Sequence, residues 1–295
     1  MSVAPAGATI AAVTHHIAEI NGTALHYVTA GTTGTPIVLV HGFPESWWAF
    51  HRVIPSLASR HRVVAVDLRG FGDSAVADAE TFTSAVAAED LHQLLASLDL
   101  GPAHLLAQDI AGGTLLRLAT THPDDVASIT AVEMGLAGFG LEAFADVVHG
   151  GSWHLGALAA PGIADLLFAG RERDLLEQWA FPAMTTVPGA ITSEDIDEFS
   201  RAFARPGGWR GAAGIYRSIL TEGEENRRTA AAHPLTVPVL AVGGSGGDFT
   251  ARTMQQVAQG PVDSVALDGV GHHVALEAPD ALAAALLAFT ARIDG

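Results

Sequence analysis

The stretch LLAQDIAGG, residues 105–113, decides how the rest of the chain reads. It closes a strand-sized apolar run, AHLLAQ at 103–108, and opens AGGTLLRLATTH at 111–122, whose apolar residues recur three and four apart. A short apolar run giving way to a helical period marks a strand-to-helix turn, and Asp109 occupies it. So sharp a reversal needs small neighbours, and Ala107, Ala111, Gly112 and Gly113 provide them. A carboxylate there points out of the sheet, and the free N–H groups and dipole of the following helix keep it ionised. An aspartate in this place is equally the ordinary N-cap of a helix, so the segment alone leaves a chemical and a structural reading open.

Similar apolar runs stand at 23–30 (TALHYVTA), 36–40 (PIVLV), 62–67 (RVVAVD) and 127–133 (ASITAVE), with a helical stretch at 84–98. Strand and helix alternate, which predicts an α/β fold with a mostly parallel central sheet flanked by helices. From 136 to 231 the chain reads as helix after helix with aromatic and arginine punctuation, as in DLLEQWA and SEDIDEFSRAFA. Strand runs return at 237–242 (VPVLAV) and 263–267 (DSVAL), followed by a terminal helix at 279–293 that begins with Pro279 and Asp280. The expected organisation is a core of residues 1–135 and 232–295, interrupted by an inserted helical segment, 136–231.

Composition narrows the partners. A chain of 295 residues that is 49% hydrophobic, 16% charged and free of cysteine is one large globular unit. All 15 basic residues are arginine, which excludes a Schiff-base lysine and a P-loop lysine. A net charge of -17 repels phosphate backbones and anionic bilayers, so neither nucleic acid nor a membrane is an expected partner and a neutral small molecule is. No apolar run approaches the roughly 18 residues of a membrane span, and the N-terminus lacks the basic start of a signal peptide. A cytoplasmic location is the expectation.

Three further motifs stand in order around Asp109. His41-Gly42-Phe43-Pro44 follows PIVLV directly, a placement that alone is also an ordinary Gly-Pro turn. DLRGFGDS at 67–74 resembles a D-x-x-G-x-G-x-S loop of the family named below, a resemblance that implies a mainly structural role and no chemistry. LDGVGHHVALEAPD sets His272 after a strand and two glycines, with His273 adjacent. Of the other histidines, His15, His16, His51, His61, His92 and His122 are expected in surface loops.

In this order the motifs resemble the α/β-hydrolase superfamily with an inserted helical lid, and Asp109 at its elbow resembles the members whose nucleophile is aspartate, the epoxide hydrolases and related dehalogenases. The elbow departs from their usual Gly-x-Asp-x-Gly, with Ala107 and Ala111 in the glycine places. The resemblance implies that Asp109 is the nucleophile and that the N–H groups of Phe43 and Ile110 form an oxyanion hole. It implies His272 as general base, because Gly-His is followed by a bulky residue and then by an acid and a proline, here Glu277 and Pro279. For the orienting acid two carboxylates compete. The usual place after VPVLAV holds GGSGGDF, where Asp248 arrives late, whereas Glu133 ends ASITAVE, and VEMGLAG resembles the segment found in Cif-type epoxide hydrolases. Glu133 is the favoured one, with Asp248 as the alternative. The lid of such enzymes donates hydrogen bonds to the ring oxygen. Tyr27 lies in a core strand, which leaves Tyr216, and His154 in SWHLGAL resembles the histidine paired with it in Cif-type enzymes. Core packing is the competing explanation for both.

The leaving group separates the two chemistries. Haloalkane dehalogenases often place tryptophan after the nucleophile and fluoroacetate dehalogenases place arginines beside it. Here stand Ile110, Ala111 and Thr114, and the nearest arginine, Arg117, reads as a surface or loop-anchoring residue. An epoxide oxygen leaves as an alkoxide and needs an acid, which Tyr216 and His154 supply. The expectation is hydrolysis of a neutral apolar epoxide to a vicinal diol through a covalent ester on Asp109, cleaved by a water that His272 activates. A secondary-metabolite epoxide is an association with the lysine-free, alanine-rich composition. No cofactor is expected, and no HExxH or comparable spacing points to a metal. A homodimer is compatible with the sequence. The alternatives are a haloacid or haloalkane dehalogenase, an esterase using Asp109 unusually, and a ligand-binding hydrolase fold without catalysis. The insertion's aromatic and leucine residues Phe139, Phe144, Trp153, Leu166, Phe168, Trp179, Phe181 and Trp209 are candidates to line a pocket or to pack the segment onto the core.

Overall fold

The computed structural model describes residues 1–76 and 82–295. Strand β4 (Pro36–Val40) and strand β6 (Ala103–Gln108) are buried at every position, which is why both are apolar throughout rather than alternating. They pair in parallel at the middle of a sheet that also contains β1 (Ser2–Val3), β2 (Thr14–Ile20), β3 (Thr23–Ala30), β5 (Arg62–Val66), β7 (Val126–Val132), β8 (Val239–Gly243) and β9 (Val262–Ala266). The strand order is β1-β2-β3-β5-β4-β6-β7-β8-β9. From β5 to β9 every pairing is parallel, and β1, β2 and β3 add an antiparallel edge. The chain leaves β4 for β5 on one side and returns to place β6 on the other, so the winding reverses between β4 and β6. In such sheets the crevice beyond the carboxyl ends of the strands at the reversal is where ligands bind.

Helices Ser84–Ser97, Gly112–Thr121, Phe249–Gln255 and Pro279–Asp294 flank the sheet, the last burying Leu282, Leu286 and Phe289. Between β7 and β8 lie helices that include Trp153–Ala159, Ser193–Phe203, Arg210–Thr221 and Gly223–Ala232. Thr192 starts Ser193–Phe203 with a reciprocal capping box to Asp195. Among the described residues no helix is long and apolar enough to cross a membrane.

The apolar runs predicted as strands lie within two residues of observed ones; the edge strands β1 and β2 were not anticipated. Two histidines on β2 hid its alternation. His15 is buried, with Nδ1 2.9 Å from His26 Nε2, and His16 Nε2 lies 2.9 Å from Thr29 Oγ1. His61 is also buried, between the Thr35 carbonyl at 3.0 Å and Thr290 Oγ1 at 3.3 Å. These are not surface loop histidines, because each has a polar partner brought to it by the fold. Arg117 is likewise not a surface residue: it is buried, with Nη1 2.9 Å from Glu225 Oε1, and it ties the elbow helix to Gly223–Ala232.

The loop after β5 is organised by Asp67, which is wholly buried. Its carboxylate takes the Trp47 N–H at 2.7 Å and the Asp73 N–H at 2.9 Å, and lies 2.7 Å from His26 Nδ1. Gly72 is required here, because a Cβ would sit 2.0 Å from that carboxylate and the residue has φ +49. Burial disfavours a charged His26, but Asp67 outweighs it and raises the pKa. The pair therefore stabilises fully below the ordinary histidine pKa, and its contribution is lost as pH rises through the raised value. Asp67→Ala should cost about 3–5 kcal/mol, the effect of stripping one partner from a buried pair. Urea denaturation at stepped pH checks both the size and the expected narrowing of the gap at high pH.

Candidate active site

Asp109 leaves β6 in the left-handed region at φ +53, and Glu133 leaves the neighbouring β7 the same way at φ +43. A non-glycine residue pays for such a conformation with strain, which persists where the surroundings impose it. The packing around Asp109 imposes it: a Cβ on Gly42 would lie 2.6 Å from Asp109 Cβ, and one on Gly112 would lie 2.5 Å from the Gly135 carbonyl oxygen. The turn holds Asp109 Oδ2 at 2.9 Å from the N–H of Phe43, which donates to it. Ile110 lines the same cavity.

His272 stands between the two carboxylates. Its Nδ1 is 3.2 Å from Glu133 Oε2, and its Nε2 is 3.5 Å from Asp109 Oδ1. Glu133 is fixed in turn by the N–H of Gly244 at 2.6 Å and that of Gly246 at 3.0 Å. The glycines that stand in the usual place of the acid after β8 thus donate to Glu133 at the end of β7. Asp248 is brought to neither: its side chain is 69% exposed and pairs with Arg252.

Across the cavity His154 Nε2 lies 3.2 Å from the Tyr216 hydroxyl, and His154 Nδ1 lies 2.6 Å from Ser152 Oγ. The Phe43 ring packs edge-on against Tyr216, with centroids 5.3 Å apart. Asp109, Glu133, His272, Tyr216 and His154 line one cavity of about 300 Å³. Leu141, Leu155, Met184, Ile219 and Phe249 supply apolar wall. Of the insertion's candidate lining residues only Phe144 reaches it. Trp209 instead stacks on Phe203 at 4.5 Å, and Phe181 packs against Phe199 at 5.5 Å.

Charge follows from this geometry. Burial works against an imidazolium at His272, but Asp109 and Glu133 overcome it and push its pKa up to about 10. Burial also works against the Asp109 carboxylate, and His272 with the Phe43 N–H brings it below the ordinary value. His154 meets no such compensation: burial, only partly opposed by Asp109, pushes it down to about 4. Tyr216 is raised by burial and then by the Asp109 charge, so it keeps its proton. One side of the cavity holds an ion pair and the other two neutral hydrogen-bonding groups.

Residues 35–150 match the α/β hydrolase fold family. The soluble epoxide hydrolase of Corynebacterium sp. (strain C12) is 34% identical over 285 residues, which cover 90% of this chain and 93% of that protein. This chain belongs to the α/β-hydrolase family. Among solved α/β-hydrolase structures, the epoxide hydrolase CorEH without ligand is 32% identical with a TM-score of 0.83, covering 95% of this chain and 99% of the other. The Cif epoxide hydrolase from Acinetobacter nosocomialis shares the fold at a TM-score of 0.87 and 22% identity, over 96% of this chain and 90% of that one.

Two polar residues at the site of this α/β-hydrolase, Glu45 and Ser152, were not anticipated. Glu45, directly after the His41–Pro44 turn, is buried behind the elbow, where it takes the Gln108 Nε2–H at 3.0 Å and lies 3.0 Å from His273 Nδ1. His273 is thereby turned away from the cavity that His272 faces. Ser152 stands two residues before His154, and its hydroxyl is the available signal for a tautomer-setting partner. Among the described residues two groups place three metal-ligand atoms within 4.8 Å of one another, His92 with His122 and Asp125, and His26 with Asp67 and Asp73. Both lie outside the cavity lining, and their histidines already pair with the neighbouring carboxylates.

Replacing Asp109 by Asn removes one of the two charges that hold the His272 proton. The His272 ring should then titrate about 1–3 pH units lower, a displacement that histidine-ring NMR of Asp109→Asn and parent reads directly.

Proposed function

We propose that this α/β-hydrolase opens an epoxide to a vicinal diol through a covalent ester on Asp109. The observation that carries the reading is the arrangement across one cavity: an anionic Asp109 on one side, the neutral Tyr216 and His154 pair on the other, and His272 held by Glu133 beside the anion. Helical segment 136–231 acts as the lid that brings Tyr216 and His154 over the core, 1–135 and 232–295.

The two oxygens of Asp109 take different roles. Oδ2 is engaged by the Phe43 N–H, whereas Oδ1 faces His272. Oδ1 attacks a ring carbon, forming a C–O bond as the ring C–O bond breaks, and the departing oxygen takes a proton from Tyr216 or His154. A Ser152 hydroxyl donating to His154 Nδ1 leaves the His154 proton on Nε2, the nitrogen beside the Tyr216 hydroxyl. Ester formation turns Asp109 neutral, so His272 loses one of the charges that hold its proton, releases it and becomes a base. That proton balances the one the alkoxide consumed. His272 then deprotonates a water that attacks Asp109 Cγ, and the oxyanion develops on Oδ2, where the N–H groups of Phe43 and Ile110 receive it. Collapse breaks the Cγ–Oδ1 ester bond, the departing alkoxide takes the proton left on the hydroxyl added to Cγ, and the diol leaves an Asp109 carboxylate beside a protonated His272.

The apolar wall and the paired anionic carboxylates favour a neutral apolar epoxide over a carboxylate-bearing substrate. A secondary-metabolite epoxide is a source compatible with that chemistry.

Intact-protein mass spectrometry of His272→Gln, incubated with terminal, aryl and polycyclic epoxides beside bromo- and fluoro-substituted acids and alkanes, tests the proposal. The expected result is a mass increase equal to a whole epoxide, absent in Asp109→Asn. An increase equal to a halogenated substrate less hydrogen halide overturns it in favour of dehalogenation, and binding without any adduct overturns it in favour of a non-catalytic binding fold. Tyr216→Phe should slow ester formation by about 10²–10⁴-fold, the usual range for losing a positioned acid, as measured by quenched single turnovers.

A further inference from the structure

Glu277 closes the short helix Val274–Glu277, and its buried carboxylate folds back over the loop that carries His272. Oε2 accepts the Gly271 N–H at 2.9 Å, and Oε1 accepts the His273 N–H at 3.1 Å. The same Oε2 also accepts from a different part of the chain, the N–H of Thr186 at 2.7 Å and that of Val187 at 2.8 Å, both in the inserted segment. The amide between the two on the His272 loop belongs to His272 itself, and it donates to the Met184 carbonyl at 2.8 Å. Three successive amides of the base loop are thus fixed, two by Glu277 and one by the inserted segment. The contact leaves no room: a Cβ on Gly271 would sit 2.4 Å from Glu277 Oε1, 2.5 Å from the Met184 oxygen and 2.6 Å from the Thr186 nitrogen. Arg52 reinforces the seam, because its Nη1 donates to the Leu276 carbonyl at 3.2 Å as well as to the Ala190 carbonyl of the insertion.

We infer that Glu277 is a positioning residue that welds lid segment 184–187 to the His272 loop, so that His272 is aligned for water activation only while that segment is seated. The inference rests on the ester mechanism proposed above. Its physical basis is that four N–H groups converge on one carboxylate. A buried N–H left without an acceptor costs enough to favour another backbone arrangement. Glu277 does not line the cavity, so its effect on chemistry passes through the backbone of the His272 loop. Met184 does line the cavity, so the seam also fixes one of its walls.

Glu277→Gln tests this. A carboxamide keeps the shape and one acceptor oxygen, but its NH2 group cannot accept from the remaining N–H. Single turnovers should show ester formation within about twofold of the parent and ester hydrolysis slowed about 10–100-fold. The ester should therefore accumulate, with the midpoint of the pH profile of its hydrolysis displaced. In the same variant, amide hydrogen exchange at 186, 187, 271 and 273 should accelerate together. If both steps slow equally, or if only the burst amplitude falls while the rate constants stay native, Glu277 holds the fold and nothing more. Failure of the underlying reading looks different, since His272→Gln would then form no ester with any epoxide. The positioning role would still be read without substrate from the His272 ring titration. A midpoint in Glu277→Gln below that of the parent supports the role, and an unchanged midpoint together with unchanged exchange overturns it.

Discussion

Two carboxylates facing one imidazole in a buried cavity are the constraint on which the site depends. Burial alone disfavours both an ionised Asp109 and a protonated His272; the two carboxylates together hold a proton on His272, and the imidazolium keeps Asp109 ionised. The fold secures this with one device used twice. Neighbouring parallel strands β6 and β7 each end in an acid forced into the left-handed region, and that matched turn places Asp109 and Glu133 on either side of the ring. The strain in both turns is held by close backbone packing, Gly42 and Gly112 around the first and the amides of Gly244 and Gly246 around the second. The parallel sheet thus acts as a jig for charge as well as a hydrophobic core.

Opposite that charged side, two groups that elsewhere titrate are kept neutral by the same burial. Without a counterion of its own His154 loses its proton, whereas Tyr216 retains one. The cavity is therefore asymmetric, with a charged wall and a neutral hydrogen-bonding wall, and the asymmetry comes from which groups have charged partners rather than from different degrees of burial.

The core was legible in the sequence because its buried strands are short continuous apolar runs and its turns are marked by glycine, proline and acid at fixed offsets. Asp109, His272 and Glu133 stood at such turns, and the fold brings them together as the motif order implied. The pairing of Tyr216 with His154 was legible only through family resemblance, since 62 residues separate them and no period links them. What escaped was long-range polar pairing. Glu45 meets His273 across 228 residues, and His15 meets His26 from an adjacent strand, so nothing local to either residue announces a partner. Strand β2 escaped for a related reason, because the buried His15 took a place that a period-two pattern reserves for an apolar side chain.

The loop after β8 carries a consequence for how such a site can change. Glu133 on β7 faces His272 and is held from the β8 loop by the main-chain N–H groups of Gly244 and Gly246, so that loop meets it with backbone rather than with a side chain. Ser245 and Thr250, on the same stretch, face the cavity. Substitutions at these two positions change the cavity surface and leave the N–H groups of Gly244 and Gly246 in place. Gly246 is the exception, because a Cβ would lie 3.0 Å from the Glu133 carboxylate. Cavity shape and the carboxylate that faces His272 are therefore set by different atoms of one loop, side chains for the first and main-chain N–H groups for the second.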